Sequence, residues 1–329
     1  MNPSHDSSLW CIALLAGGDS DEAVISRRSG AAVQAALSSR GHIVVHLDPA
    51  VVDLEGVDWR QFDVAFLALH GRFGEDGQVQ EVLERAGIPY TGSDAATSRL
   101  AFSKSAAKER LALFGVATPP YALVHYSDQS DRLQRMVEHI GYPLVVKPDT
   151  QGSSLGITIV RHPRQFDDAL RRCFEFDSFG IVERFIEGTE WTVGLLDDLI
   201  LPPICIETPR AFFDYQAKYE DEATRYLFDT DWSASDLEQL RDTALATCRA
   251  LGARGLVRVD FRADRERTPW VLEVNTIPGL TDHSLVPKAA ARMGIDFAEL
   301  CERAIRASLR GAAPRPHHLQ NRIIRRAAG

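Results

Sequence analysis

Short apolar runs alternate with amphipathic stretches of helical period along most of the chain, the pattern of an α/β fold. Trp10–Ala16 reads as a buried strand ending in Gly17-Gly18, followed by a helix from about Ala23 to Arg40 that Gly41 closes. Ile43–Leu47 and Val64–Leu69 read as strands, a helix near Gln78–Ala86 ends at Gly87, and Ile88–Tyr90 begins another extended piece. Residues 1 to about 100 are therefore expected to form a small doubly wound unit that holds ligands in loops at the strands' carboxyl ends. From Lys104 the character changes. A helix to Phe114, breakers at Gly115 and Thr118-Pro119-Pro120, strand Tyr121–Val124, a helix near Asp128–Ile140 and strand Leu144–Val146 lead into the turn Gln151–Gly156. Strand Ile157–Val160, a helix around Pro163–Phe174 and strand Ile181–Phe185 follow. The last third predicts strands near Leu199–Ile206, Gly255–Arg262 and Trp270–Asn275, and helices near Ala234–Leu251, Ser284–Met293 and Phe297–Leu309. Between them, the polar stretch Glu207–Ser233 is long enough to be a lid or a binding loop.

A length of 329 residues suggests two or three domains. With 45% hydrophobic and 25% charged residues the disordered and fibrous classes are excluded. The longest apolar runs fall far short of the ~18–20 residues of a membrane helix, and Met1–Leu9 lacks the basic-then-apolar order of a secretory signal. Five cysteines (Cys11, Cys173, Cys205, Cys248 and Cys301) are scattered and never paired as C-x-x-C, against both a disulfide framework and a cysteine-based zinc site. A reduced, cytoplasmic protein is expected. The net charge of −9 argues against a nucleic-acid partner. Residues 310–329 hold five arginines and no acid, so the remainder carries 32 basic against 46 acidic residues; the tail reads as a short disordered terminus without assigned function.

Candidate chemistry lies in two places. Leu144-Val145-Val146-Lys147-Pro148 followed by Gln151–Gly156 puts a lysine at a strand end beside a Gly/Ser loop, which can cradle phosphate. Neither G-x-x-x-x-G-K-[ST] nor G-x-G-x-x-G occurs, and a plain hairpin turn with a solvated lysine fits equally. Asp260, Glu273 and Asn275 are placed so that, if their strands pair, three oxygen donors share one face with Arg258 beside them. Such hard oxygens suit Mg²⁺ shared with phosphates; polar residues on the solvent face of a hairpin are the alternative. Glu183 and Glu190 flank a strand-like segment and could accept from an adenine amine or ribose hydroxyls, or be surface charge. A lone loop histidine is usually structural or solvated, but His70, within a glycine-rich loop at a strand's carboxyl end, sits where α/β folds bind ligands.

Taken in order, these pieces resemble the ATP-grasp superfamily, and within it D-alanine–D-alanine ligases from Ala13 to about Leu309. The matching motifs are Gly17-Gly18-x-Ser20-x-Glu22 with Ser26, Ala68-Leu69-His70-Gly71, Gly74-Glu75-Asp76-Gly77 and Pro89–Ser93. Lys104, Val146-Lys147-Pro148, Gly152-Ser153-Ser154-x-Gly156 and Asp214-Tyr215-x-Ala217-Lys218-Tyr219 continue the series. Arg258-x-Asp260 and Glu273-x-Asn275-Thr276-x-Pro278-Gly279-x-Thr281-x-His283-Ser284-Leu285-Val286-Pro287 complete it.

The resemblance implies a three-domain ATP-grasp architecture: a substrate-binding α/β domain over 1–103, a central subdomain over 104–195, and a C-terminal subdomain over 196–309 with lid 207–233 and the metal site. It implies ATP-dependent joining of two D-alanines through an acyl phosphate, for peptidoglycan precursors, by a homodimer. By motif position Lys104 and Lys147 would hold phosphates, with Ser153 and Ser154 in the loop beside them and Glu183 and Glu190 at adenine and ribose. Asp260, Glu273 and Asn275 would bind two Mg²⁺ ions, for which Mn²⁺ could substitute. Arg258 and the Gly279 N–H would form an oxyanion hole. Glu22 would take the first ammonium and join Ser153 and Tyr219 in a triad, with His70 near the first substrate. Lys218 and Ser284, followed by Leu285, would lie near the γ-phosphate and the second carboxylate. Two departures stand out. The family's Glu-x-Glu-Val-Ser is here Glu22-Ala23-Val24-Ile25-Ser26, without the second acid, and Phe228-Asp229-Thr230 replaces a Cys-Pro-type turn. A ligase using D-lactate or D-serine, another carboxylate–amine ligase, and a non-catalytic nucleotide module are the other readings; the last would be expected to lack a metal ligand or Arg258.

Overall fold

Every residue of β1 (Cys11–Leu15) is apolar and buried, as a strand covered on both faces requires. The structure, a computed structural model, describes residues 9–210, 223–281 and 284–310. β1 is followed by α1 (Ala23–Ser39), β2 (Ile43–Leu47), β3 (Val64–Leu67) and α2 (Gln78–Ala86). The three strands form a parallel sheet in the order β2-β1-β3, which Tyr90 extends by one parallel bridge to Ala65.

The chain then runs through α3 (Ala95–Phe102), α4 (Lys104–Leu113), β4 (Tyr121–His125), α5 (Ser130–Ile140), β5 (Leu144–Pro148), β6 (Thr158–Val160), α6 (Phe166–Phe174) and β7 (Phe179–Arg184). β8 (Thr189–Leu196), β9 (Leu199–Ile200), β10 (Ile204–Glu207), β11 (Arg225–Leu227), α7 (Ala234–Leu251), β12 (Leu256–Ala263) and β13 (Pro269–Asn275) follow. Last come α8 (Leu285–Arg292) and α9 (Phe297–Leu309).

By packing, the described residues divide into two compact units, one made of those up to residue 92 together with those from 279 onward, the other of those within 93–278. In the first, α9 packs on α1 and β3. Arg40 forks onto Asp296, and His42 meets Glu302 at 3.1 Å while its Nδ1 accepts the Trp10 N–H. In the second, a four-stranded antiparallel sheet in the order β4-β7-β5-β6 carries α5 and α6 over a core that includes Leu144, Val146, Phe166 and Val182. A larger antiparallel sheet, ordered β11-β10-β8-β12-β13, packs α7 on a core that includes Trp191, Val193, Leu240 and Phe261.

Three elements differ from the sequence expectation. β8, the strand between β10 and β12, carries no clear alternation (Thr-Glu-Trp-Thr-Val-Gly-Leu-Leu) and was not anticipated; it is buried from Trp191 onward. α3 is an eight-residue helix that Asp94 caps through the Thr97 N–H. Part of the expected loop 207–233 is strand: β11 pairs with β10 in the register Ile206↔Tyr226.

Candidate functional site

In the first unit the carboxyl ends of β1 and β3 face one cleft whose lining includes Gly17, Ser20, Leu69, His70 and Phe73. Its loops are stitched by hydroxyls. Ser26 on α1 accepts the Gly17 N–H at 2.7 Å and donates to the Ala68 carbonyl at 2.8 Å. Ser20 donates to the His70 carbonyl at 2.8 Å and accepts the Glu22 N–H. Asp48 accepts the Gly18 N–H at 2.7 Å, and Arg27 reaches both Asp48 and the Gly18 carbonyl. Backbone donors at Gly18 and Ala50 and the Arg27 charge hold the Asp48 carboxyl below the usual range against its desolvation. The Gly17–Glu22 loop is thus braced by Asp48 and Arg27. Glu22 is buried, and its carboxylate lies so close over Gly71 that a Cβ there would stand 2.7 Å from Oε2; Gly71 is also left-handed at φ 72°. His70 is buried with Nε2 3.1 Å from Ser29 Oγ. In the same unit Ser284 Oγ accepts the Thr281 N–H at 3.0 Å, and a Cβ on Gly279 would stand 3.0 Å from it. Leu285 opens α8 and is buried.

The second unit holds a separate cleft of about 760 Å³, its open mouth included. Lys147, Ser154, Glu183, Glu190, Asp260 and Glu273 all line it, between apolar walls such as Phe185, Ile186 and Leu272. β12 builds the polar rim because its residues alternate strictly: Val257, Val259 and Phe261 are buried while Arg258, Asp260 and Arg262 share the other face. β12 and β13 do pair, in the register Arg258↔Asn275 and Asp260↔Glu273, with a bulge after Asp260. Arg258 forks onto both oxygens of Asp260 at 2.9 and 2.8 Å, Thr192 donates to Oδ1 at 2.7 Å, and Asn275 donates to Oδ2 at 3.1 Å. Two carboxylates and one amide therefore come together. Among the described residues no cluster of three or more Asp, Glu, His or Cys side chains suited to a metal occurs.

Lys147 is not a solvated turn lysine: it is 4% exposed and meets Glu183 Oε1 at 2.6 Å. Lys108, which sequence reasoning passed over, approaches Oε2 at 2.9 Å from the other side. The two ammoniums hold the Glu183 carboxyl below its usual range despite complete burial. Burial pushes Lys108 down from 10.5 to about 8, against the pull of Glu183. Oε2 has this ion pair but no aligned hydrogen bond, so a buried acceptor position lines the cleft. Glu190 is held by Arg262 Nη1 at 2.8 Å, its cross-strand partner on β12. Lys104, at the start of α4, donates to the Gln151 carbonyl at 2.6 Å and lies 3.6 Å from Glu273 Oε2. Asp149 fixes that helix start by accepting from Ser103 Oγ and the Ser105 N–H. Ser153 and Ser154 are consecutive left-handed residues (φ 49° and 60°), a strained backbone of the kind found at ligand loops.

Lys218, Tyr219 and His283 lie outside the described residues. Signals for the overlooked groups were present: Lys108 lies four residues after Lys104 on one helix face, and Arg262 two residues after Asp260 on one strand face. All five cysteines are buried, and burial pushes the thiols of Cys173, Cys205 and Cys248 up to about 12, which makes these three poor nucleophiles. No described helix is long and apolar enough to cross a membrane.

Residues 111–306 match the family model described as the D-ala D-ala ligase C-terminus, and residues 50–93 that of the D-ala D-ala ligase N-terminus. The D-alanine–D-alanine ligase of Alkalilimnicola ehrlichii is 42% identical over 316 residues, spanning 96% of this chain and 100% of the relative. The crystal structure of the Bacillus anthracis D-alanine–D-alanine ligase complexed with ATP matches with a TM-score of 0.79 at 31% identity, covering 97% of this chain and 100% of that one. The VanG D-Ala:D-Ser ligase of Enterococcus faecalis matches with a TM-score of 0.81 at 26% identity, covering 92% and 100%.

Proposed function

The chain belongs to the D-alanine–D-alanine ligase family, and from that premise we propose that it joins two D-alanines at the expense of ATP. The observation that supports this most is the convergence in one cleft of Lys147, Glu183, Glu190, Asp260 and Glu273, cation, acceptor and oxygen-ligand groups in the set a nucleotide needs. The carboxylate of the first D-alanine attacks the γ-phosphorus, ADP leaves, and an acyl phosphate forms. The neutral amine of the second D-alanine attacks that carbonyl, and collapse of the tetrahedral intermediate releases phosphate and a proton.

In this reading Lys104, Lys147 and the strained Ser153-Ser154 loop hold phosphates. The open acceptor position on Glu183 meets the adenine amine, and Glu190, oriented by Arg262, meets the ribose. Glu22 takes the first ammonium, with His70 beside that substrate. Glu22, Ser153 and Tyr219 are assigned to positioning the substrates, and Arg258 and the Gly279 N–H to the oxyanion, a donor typically contributing ~3–4 kcal/mol. Lys218, Ser284 and Leu285 serve the γ-phosphate and the second carboxylate. Asp260, Glu273 and Asn275 fit Mg²⁺, or Mn²⁺, because such ions take one or two carboxylates and complete their shell with phosphate oxygens and water. When bound, two such ions would neutralise charge on the phosphates. A cytoplasmic homodimer serving peptidoglycan synthesis completes the proposal. The TM-score of 0.81 to a D-Ala:D-Ser ligase makes D-serine the alternative second substrate. Phosphate release from ATP with D-alanine, L-alanine, D-serine or D-lactate, with products identified by mass, decides: D-alanyl-D-alanine is expected, and release with none of them overturns the proposal.

A further inference from the structure

α1 carries two wholly buried serines one turn apart, Ser26 and Ser29, on the face that meets the first cleft's loops. The helix is pressed down there: at Gly30 a Cβ would stand 2.4 Å from the Ala16 Cβ on the opposing segment. Ser26 ties backbone to backbone, Gly17 to Ala68. Ser29 does something different. Its Oγ accepts the Leu280 N–H at 3.3 Å and lies 3.1 Å from His70 Nε2. A serine inside a helix ordinarily turns its proton back to a carbonyl one turn earlier. Here the hydroxyl is fully buried, the Leu280 amide supplies its own proton, and His70 Nε2 is the acceptor within reach. The hydroxyl proton therefore goes to Nε2, and the ring must carry its own proton on Nδ1.

We propose that Ser29 is a positioning residue for the ligation: it fixes His70 as the neutral Nδ1–H tautomer and ties that ring to the Gly279–Leu280 segment. The inference rests on the reading above, which places His70 beside the first D-alanine and the Gly279 N–H at the oxyanion. One hydroxyl then sets both the donor that His70 can offer and the backbone adjoining the oxyanion donor. Neither an alanine methyl nor water can replace it, since the position is closed to solvent.

The test joins ring NMR to kinetics on the full chain. In protein labelled with ¹⁵N-histidine at pH 8, with His70 assigned by loss of its signals in His70→Gln, Nδ1 should be the protonated nitrogen and Nε2 the bare one. Ser29→Ala should move the proton toward Nε2, raise the KM for D-alanine and lower kcat by roughly ten- to a hundred-fold, the scale of a small misplacement, with the KM for ATP unchanged. Ser29→Thr, which keeps the hydroxyl, should restore the tautomer. A parent His70 protonated on Nε2, or a Ser29→Ala protein with the parent's tautomer, overturns the inference. So does a shifted tautomer with unchanged D-alanine kinetics. If the parent itself makes no dipeptide, the proposed function fails, and the ring spectra still decide whether Ser29 sets the tautomer.

Discussion

Among the described residues Glu183 is the one carboxylate that meets both buried ammoniums, Lys108 and Lys147, and this asymmetry dictates what each substitution does. Glu183→Gln leaves Lys108 and Lys147, 2% and 5% exposed at their side chains, without a counter-charge. Breaking a buried pair in this way costs about 3–5 kcal/mol, a large part of a typical total of ~5–15. Lys108→Met leaves the 2.6 Å Lys147–Glu183 pair intact and removes a charge whose desolvation is not fully offset. The drop from 10.5 to about 8 corresponds to roughly 3 kcal/mol of penalty at neutral pH, at ~1.4 kcal/mol per tenfold. Against this stand two lost hydrogen bonds, to Thr118 Oγ1 and the Pro119 carbonyl, at about 1 kcal/mol each. Lys108→Met should therefore be neutral or mildly stabilising at pH 7, within ~2 kcal/mol of the parent. A lysine with a depressed folded pKa binds fewer protons when native than when unfolded, so stability rises with pH between about 8 and 10.5. The parent's stability relative to Lys108→Met should accordingly climb by about 2 kcal/mol from pH 7.5 to 9.5. Urea unfolding of the three proteins at both pH values measures all of this. Equal losses in Lys108→Met and Glu183→Gln, or a parent-to-Lys108→Met difference that ignores pH, would show that Lys108 is not a desolvated second cation on Glu183.

Other outcomes follow from the proposed roles. Because its folded pKa is depressed, Glu183 contributes stability that is present above its unfolded value of 4.5 and lost as pH falls through the folded one; acid titration of unfolding should show this loss in the parent and not in Glu183→Gln. Glu273→Gln should keep the fold, read by circular dichroism, and lose phosphate release by at least ~100-fold; near-parental release would remove Glu273 from the site. Gly71→Ala should lower stability by about 1–2 kcal/mol for its left-handed backbone alone and, by displacing the Glu22 carboxylate, raise the KM for D-alanine more than that for ATP. Tyr219→Phe should shift product from dipeptide toward ester by ~1–3 kcal/mol when D-alanine and D-lactate compete at pH 6 and pH 8; equal ester fractions from both proteins would show that Tyr219 does not set the choice.

The parts of the site most legible in the sequence lie on strand segments that alternate locally. Arg258-Val259-Asp260 and Glu273-Val274-Asn275 announce both a strand and a shared polar face, and the register Asp260↔Glu273 brings them together. β8 was illegible for the same reason inverted: buried on both faces from Trp191 onward, it needs no alternation, and its neighbours Gly188 and Asp197-Asp198 look like loop. Lys147 could not be told from a turn lysine because its burial depends on Glu183, a residue 36 positions away on the paired strand β7. Spacing puts Lys108 on the helix face of Lys104, but neither that spacing nor a serine inside a helix reveals which distant carboxylate or imidazole the side chain will meet. The brace on the Gly17–Glu22 loop also comes from outside its motif, through Asp48 at the end of β2.

In the proposed mechanism the carboxylate of one D-alanine takes the γ-phosphoryl group before the second amine attacks. D-alanine labelled with ¹⁸O in both carboxylate oxygens, incubated with this protein, ATP and Mg²⁺, tests it directly. Each turnover should yield one D-alanyl-D-alanine and one inorganic phosphate carrying a single ¹⁸O taken from the substrate. Unlabelled phosphate alongside dipeptide, or label appearing in AMP, would contradict the acyl-phosphate route.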